Sequence, residues 1–200
     1  MSIQFDIAKQ IIAETCPNRK LKLENIRLFA DIIQPKKYQK GDIILNEGDI
    51  CNCLFYIEKG FIRQHYLKHD KDVIEHLACE KDVVWCIYSY FNREPTHLMM
   101  DAVENSVLWE IPRDIMEELS DANGDIAYLY RSFFENSLML SQLKADILRF
   151  ESANDRYARL QQHFPEITRR APLTMIASYL QMTLETLSRV RVSIANAESK

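Results

Sequence analysis

Glu185 and Arg189 stand four residues apart in the stretch TLETLSRVR, a spacing that sets two side chains on the same side of a helix. Residue types of this kind can read bases. The planar fork of an arginine matches O6 and N7 of guanine, and a glutamate accepts a hydrogen bond from cytosine N4. Thr174, Thr183 and Thr186 are short hydroxyl donors near expected helix N-termini, suited to phosphate oxygens. Ser188, Arg191 and Arg169 complete the candidate DNA-facing set, with Arg169 expected to meet phosphate.

These side chains need a rigid mount, and the surrounding residues predict one. A first helix is expected from about Leu173 to Leu180, with Ile176, Ala177 and Leu180 as its apolar stripe and Pro172 pre-setting its first turn. Thr183 is a suitable N-cap for a second helix, in which Leu187 and Val190 point inward. Ala177 is small enough for close approach of two helices, and Met182 fills the corner between them, so the pattern is a helix-turn-helix. Gln181 occupies the turn position that usually favours glycine for its left-handed backbone. A plain helical hairpin with solvated arginines fits the same pattern.

Charge restricts where nucleic acid can bind. The chain of 200 residues carries a net charge of −4, which argues against coating DNA with the whole surface. From Arg169 to Arg191, however, there are four arginines against one glutamate, so any contact must be local. With 47% hydrophobic residues the chain can build a sizeable core of one or two domains. No apolar run approaches the length of a membrane span, and MSIQFDIAKQ lacks the basic start and apolar centre of a signal peptide, so a cytoplasmic protein is expected. The five cysteines, including a C-x-C at Cys51 and Cys53, are odd in number and irregularly spaced, which fits reduced thiols. Neither they nor the five histidines show metal-ligand spacing, and no nucleophile, base and orienter group together, so no metal, cofactor or enzymatic activity is expected.

Upstream, residues 5 to 33 carry apolar positions at helical spacing and predict two short helices broken at Pro17-Asn18. From Lys36 to about Ile111, short β-branched and aromatic segments alternate with turns. Strands are expected at 42–45, 53–58, 61–66, 73–78, 98–103 and 107–111, a texture that means a sandwich or small barrel. After Pro112 the pattern is helical. Ile126, Phe133, Leu140 and Ile147 repeat every seven residues, and Leu129, Asn136, Leu143 and Phe150 follow each by three. A heptad seam of this kind predicts a homodimer, with Asn136 fixing the register, or one long helix packed on its own domain. Tyr130, Phe134, Leu138 and Leu148 supply a second apolar face.

The order of these parts, with KGDIILNEGD and LFYIEKGFIR, then the heptad helix, then IASYL with ETLSRVR, resembles the Crp/Fnr family of bacterial transcription regulators from about Phe29 to Val192. The resemblance implies an α+β chain with an N-terminal double-stranded, jelly-roll-like β-roll sensor domain (1–119), a long dimerisation helix (120–150) and a C-terminal all-α helix-turn-helix domain (151–200). It puts Glu185 and Arg189 on the family's base-reading positions, whereas Leu184 stands where many members carry another arginine. Few residues follow the second helix, so little of the family's C-terminal wing is expected.

Cyclic-nucleotide-binding members hold ribose and cyclic phosphate with Gly-Glu and Arg-Ser. By the resemblance, Trp85 and Cys86 fall at the first pair and Thr96 and His97 at the second. A buried phosphate without an arginine is poorly compensated, so cyclic AMP is not the expected effector. Tyr88 and Arg93 join these four as candidate lining of a pocket for an unknown small molecule. Two functions follow. One is a homodimeric regulator that binds double-stranded DNA, with RNA polymerase as a further partner. The other is a ligand- or redox-sensing dimeric module with a degenerate DNA-binding head.

Overall fold

The computed structural model describes residues 2–69 and 71–198. In chain order the elements are α1 (Ile3–Thr15), α2 (Leu23–Ile32), β1 (Gln34–Tyr38), β2 (Ile43–Leu45), β3 (Cys53–Lys59), β4 (Ile62–Lys68), β5 (Lys71–Ala78) and β6 (Val83–Val84). They continue with α3 (Ile87–Asn92), β7 (Met99–Ala102), β8 (Ser106–Pro112), α4 (Arg113–Ala122), α5 (Gly124–Phe150), α6 (Ala153–His163), α7 (Pro165–Arg170), α8 (Leu173–Tyr179) and α9 (Leu184–Glu198). Among these described residues no helix is long and apolar enough to cross a membrane.

Two compact units emerge. The first comprises residues up to Ile62 together with Ala78–Leu138. Its main sheet is antiparallel, in the order β1-β8-β3-β6, and β2 pairs with β7 in a second layer. Strands β3 and β8 carry the core, with Leu54, Tyr56, Ile57, Leu108, Trp109 and Ile111 almost fully enclosed. The roll turns corners with one repeated device. At Gln39–Asp42, Asn46–Asp49 and Cys79–Asp82 the aspartate amide donates to the carbonyl three residues back, while its carboxylate accepts that residue's amide. The third residue of each turn has positive φ, a conformation supplied by glycine at Gly41 and Gly48 and taken by Lys81 in the third turn. Gly60, with φ of 116°, is required for space as well, because a Cβ there would lie 2.0 Å from Ser106 Oγ.

The predicted pair of N-terminal helices is present as α1 and α2, and the six predicted strands match β2, β3, β4, β5, β7 and β8. Two strands and one helix were not expected. The exposed QPKKY of β1 lacks an alternating pattern, β6 has only two residues, and the aromatic run of α3 is too short to show a period.

Helix α5 begins under tight control. Asn123 Oδ1 accepts the amides of Asp125 and Ile126, so it serves as the N-cap. Asp125 in turn accepts from Asn25, from Arg19 and from the Lys22 amide, and these bonds hold its carboxyl below the usual carboxylate range. The start of the long helix is thereby pinned to the loop between α1 and α2.

The heptad seam needs a correction in this half of α5. Ile126, Leu129 and Phe133 are buried in their own chain, the first two at 0% exposure, and belong to the core cluster of the roll. Asn136 donates to the Thr15 carbonyl of α1. Ile126, Leu129 and Phe133 face the roll because that surface is the nearest large apolar area to an inward stripe, and they are not available to a second chain, whereas Asn136 is exposed. Farther along, Leu140, Leu143 and Phe150 are exposed, as are Leu138 and Met139, while Ile147 is half-buried.

The second unit comprises Arg63–Leu77 with residues from Met139 on. Tyr157, Leu160, Ile167, Ile176, Ala177, Leu180, Leu187 and Val190 form its core. The hairpin of β4 and β5, which lies within 1–119 in sequence, keeps company here with the C-terminal helices. The Ile74 amide donates to Ser178 Oγ of α8 at 2.9 Å, and Lys144 of α5 reaches both the Glu75 carbonyl and its carboxylate while lying over the Tyr179 ring. Arg63 and His65 both hold Asp72, each at 2.6 Å, which stiffens the hairpin.

Candidate nucleic-acid interface

Helix α8 is short, and its apolar residues Ile176, Ala177 and Leu180 are enclosed in the core that α6 and α9 share with it. Arg156 of α6 donates to the Leu180 carbonyl at 3.0 Å, satisfying one of the carbonyls left open at the end of α8. The chain then reverses at Gln181, whose φ of 53° is left-handed. A residue with a Cβ is strained there, so Gln181→Gly should raise the stability of this unit by up to about 1 kcal/mol. Thermal unfolding of the two proteins measures it; an unchanged or lower midpoint would mean that the turn carries no strain.

Thr183 caps α9 by accepting the Thr186 amide at 3.1 Å, and the two hydroxyls are 2.9 Å apart. Leu187 and Val190 are buried, so the opposite face of α9 points to solvent. That face carries Glu185, Ser188 and Arg189, all exposed, while Arg191, one turn on from Leu187, is exposed at its flank. Glu185 and Arg189 form an ion pair across one turn, each side chain 75% exposed. Thr174 is exposed on α8, and Arg169 is exposed on α7, where it pairs with Glu166. All eight candidate residues therefore lie within the second unit.

The six sensor candidates divide. Trp85, Cys86 and Thr96 are buried, whereas Tyr88, Arg93 and His97 are exposed. As the lining of one pocket the set must be corrected, because its members are spread between core and surface and most are engaged elsewhere. Trp85 stacks within an aromatic cluster with Tyr90, Phe91 and Phe134. The Cys86 amide donates to Cys51 Sγ, and hydrogen bonds from Cys86 hold the Cys51 thiol below the usual thiol range against the burial that pushes it up. The Thr96 amide and carbonyl clamp the turn at Gly48-Asp49, and Tyr88 donates to Glu94. Arg93 is held by Glu117 at 2.8 Å and Asp114 at 3.1 Å.

Two structural features around α3 were not apparent from the sequence. Arg113 is buried and donates to the Tyr90 carbonyl and to Asn52 Oδ1, at 2.7 and 2.8 Å. Its place just after the Pro112 that ends β8 is the only local signal. Phe134 and Tyr130 of α5 meet the rings of α3, with Tyr90 and Tyr130 hydroxyls 2.9 Å apart. Tyr130 and Phe134 were legible as a second apolar face of the long helix, and α3 is what that face covers.

An antiparallel roll, a long helix and a helix-turn-helix with an outward charged face are thus the parts of this chain. Residues 35–123 match the cyclic nucleotide-binding domain family. The chain is 29% identical over 173 residues to Electron transport regulator A of Shewanella oneidensis, covering 80% of this chain and 68% of that protein. It is 27% identical over 194 residues to the fumarate and nitrate reduction regulatory protein of Vibrio cholerae, covering 90% and 76%. FixK2 from Bradyrhizobium japonicum shares the fold with a TM-score of 0.68 at 18% identity, over 84% of this chain and 86% of that one. The relatives and structural neighbours that this chain resembles are regulators of the Crp/Fnr type.

Proposed function

We propose that this regulator is a homodimer that reads a palindromic DNA operator through α9 and receives in its β-roll a signal other than cyclic AMP. The observation that carries the reading is the outward face of α9, where Glu185, Ser188 and Arg189 are presented together while Leu187 and Val190 anchor the opposite face. Helices mounted in this way enter the major groove by their N-terminal half. Such a protein works in the cytoplasm, on DNA, with RNA polymerase as the further partner to test. Selection of duplexes from a random pool by the purified protein should enrich a palindrome whose half-sites lie about one helical turn, near 34 Å, apart. A pool that never converges would refute the reading head.

The signal is approached from the side chains of the roll. A cyclic phosphate needs a cation and clustered donors out of water. Arg93 is held at the surface by two carboxylates, and Arg113 is committed to Tyr90 and Asn52. Cyclic AMP and cyclic GMP at millimolar concentration should therefore leave thermal unfolding unchanged. Micromolar affinity would add about 4 kcal/mol, a shift too large to miss. The relatives named for electron transport and for fumarate and nitrate reduction direct the search for the signal toward respiratory chemistry.

A further inference from the structure

Cys51 precedes β3 and Cys86 opens α3, 35 residues later, yet the two side chains are hydrogen-bonded to each other and the Cys86 amide donates to Cys51 Sγ at 3.4 Å. The Cys51 amide in turn donates to Ser89 Oγ of α3 at 2.9 Å. Two thiols are thus held side by side by backbone that is itself hydrogen-bonded. Among the described residues all five cysteines are thiols.

The surroundings single out Cys51 as the reactive member. Hydrogen bonds from Cys86 and the nearby charge of the buried Arg113 favour its thiolate, the form that attacks peroxides. Cys16 and Cys53 are pushed the other way by burial, Cys53 up to about 12 with the Glu110 carboxylate adding to the effect. Both Cys51 and Cys86 are enclosed, but their chain neighbours Ile50, Asn52 and Ile87 are exposed, so the pair lies one residue beneath the surface. Helix α3 has only six residues, too few to persist by themselves, and its local opening admits a solute scarcely larger than water.

We infer that Cys51 and Cys86 are an oxidisable dithiol that hydrogen peroxide closes to an intramolecular disulfide, so that the roll itself responds to oxidant. The Cys51 thiolate attacks one peroxide oxygen and the O–O bond breaks. Hydroxide leaves as water with the thiol's proton, and Cys51 becomes a sulfenic acid. The Cys86 sulfur then attacks the Cys51 sulfur, forming the S–S bond as the S–O bond breaks and a second water leaves with the Cys86 proton. Two thiols give up two electrons, and one peroxide becomes two waters.

The bond draws the sulfurs to about 2.05 Å and so pulls on the start of α3. Trp85, next to Cys86, packs on Phe134 of α5 at 5.1 Å, and Phe91 packs on the same ring at 4.9 Å. Oxidation therefore shifts Trp85 against the long helix. As the roll's signal this chemistry rests on the reading of the chain as a regulator; as a bond it is measured without DNA.

The test treats the full chain with hydrogen peroxide, then alkylates and digests it under denaturing conditions. A peptide linking Cys51 to Cys86 should account for most of the oxidised protein, and Cys53→Ser should form it as wild type does. Cys86→Ser should instead hold Cys51 as a sulfenic acid that dimedone labels. Tryptophan emission should change on oxidation and return with dithiothreitol, and Trp85→Phe should lose that change. The wild-type peptide map decides the bond even where a cysteine variant fails to fold. Cys51 and Cys86 alkylated as fully as before treatment, or disulfides that join other cysteines or two chains, would overturn the dithiol. A bond that leaves tryptophan emission unchanged would overturn its coupling to α5.

Discussion

Arg189→Ala is expected to weaken binding to the specific operator by about 2–6 kcal/mol per dimer, because it removes one bidentate base contact worth roughly 1–3 kcal/mol from each half-site. The ion pair with Glu185 does not offset this. Both side chains are largely in water, and an exposed pair one turn apart contributes only about 0.3–0.5 kcal/mol. Opening the pair to meet DNA therefore costs little beside the hydrogen bonds that Arg189 then makes to the base, and the fold should tolerate the substitution to within about 0.5 kcal/mol. Arg169→Ala is the control. Exposed on α7 and tied to Glu166, it can meet phosphate without reading sequence, so its loss should weaken all duplexes alike and flatten the salt dependence. Titration of both variants against the operator and a scrambled duplex at several salt concentrations separates the two roles. Equal losses for Arg189→Ala on both duplexes would mean that it reads no base.

What the sequence made legible depended on the range of the interaction. The helix-turn-helix was readable because its determinants are local: Ile176 and Ala177, the Thr183 cap, and the three-residue spacing of Leu187 and Val190 all lie within fifteen residues. The strands of the roll were readable for the same reason, up to β1 and β6, whose residues have no pattern of their own and are strands only because β8 and β3 pair with them. The sensor region was harder. Trp85 and Cys86 were placed by their position along the chain, but part of what surrounds them, Phe134 of α5 and Cys51, is far away in sequence. Arg93 likewise looked available until Glu117 and Asp114 were brought beside it. A buried Arg113 has no sequence signature, since its two acceptors are a carbonyl and an asparagine from separate elements.

On the proposed homodimer reading, the one heptad pattern of the long helix serves two purposes, and a pair of substitutions distinguishes them. Leu129 is fully enclosed by the roll, so Leu129→Ala should destabilise the chain by about 2–5 kcal/mol while leaving any dimer intact. Leu140 is 43% exposed in the single chain, near Leu138 at 70% and Met139 at 68%, an unusual amount of apolar surface for one helix to leave in water. A charge at that position costs an isolated chain little. Between two copies it would be buried without a partner in each, and an uncompensated buried charge of this kind costs about 3–5 kcal/mol. Leu140→Glu should therefore sediment as a monomer whose unfolding in denaturant, followed at low protein concentration, matches wild type, and Leu129→Ala should sediment as a dimer that unfolds early. A Leu140→Glu protein that still sediments as a dimer would exclude this part of α5 as the seam. A wild type that is monomeric at tens of micromolar would exclude the homodimer, leaving α9 to read single half-sites at correspondingly weaker affinity.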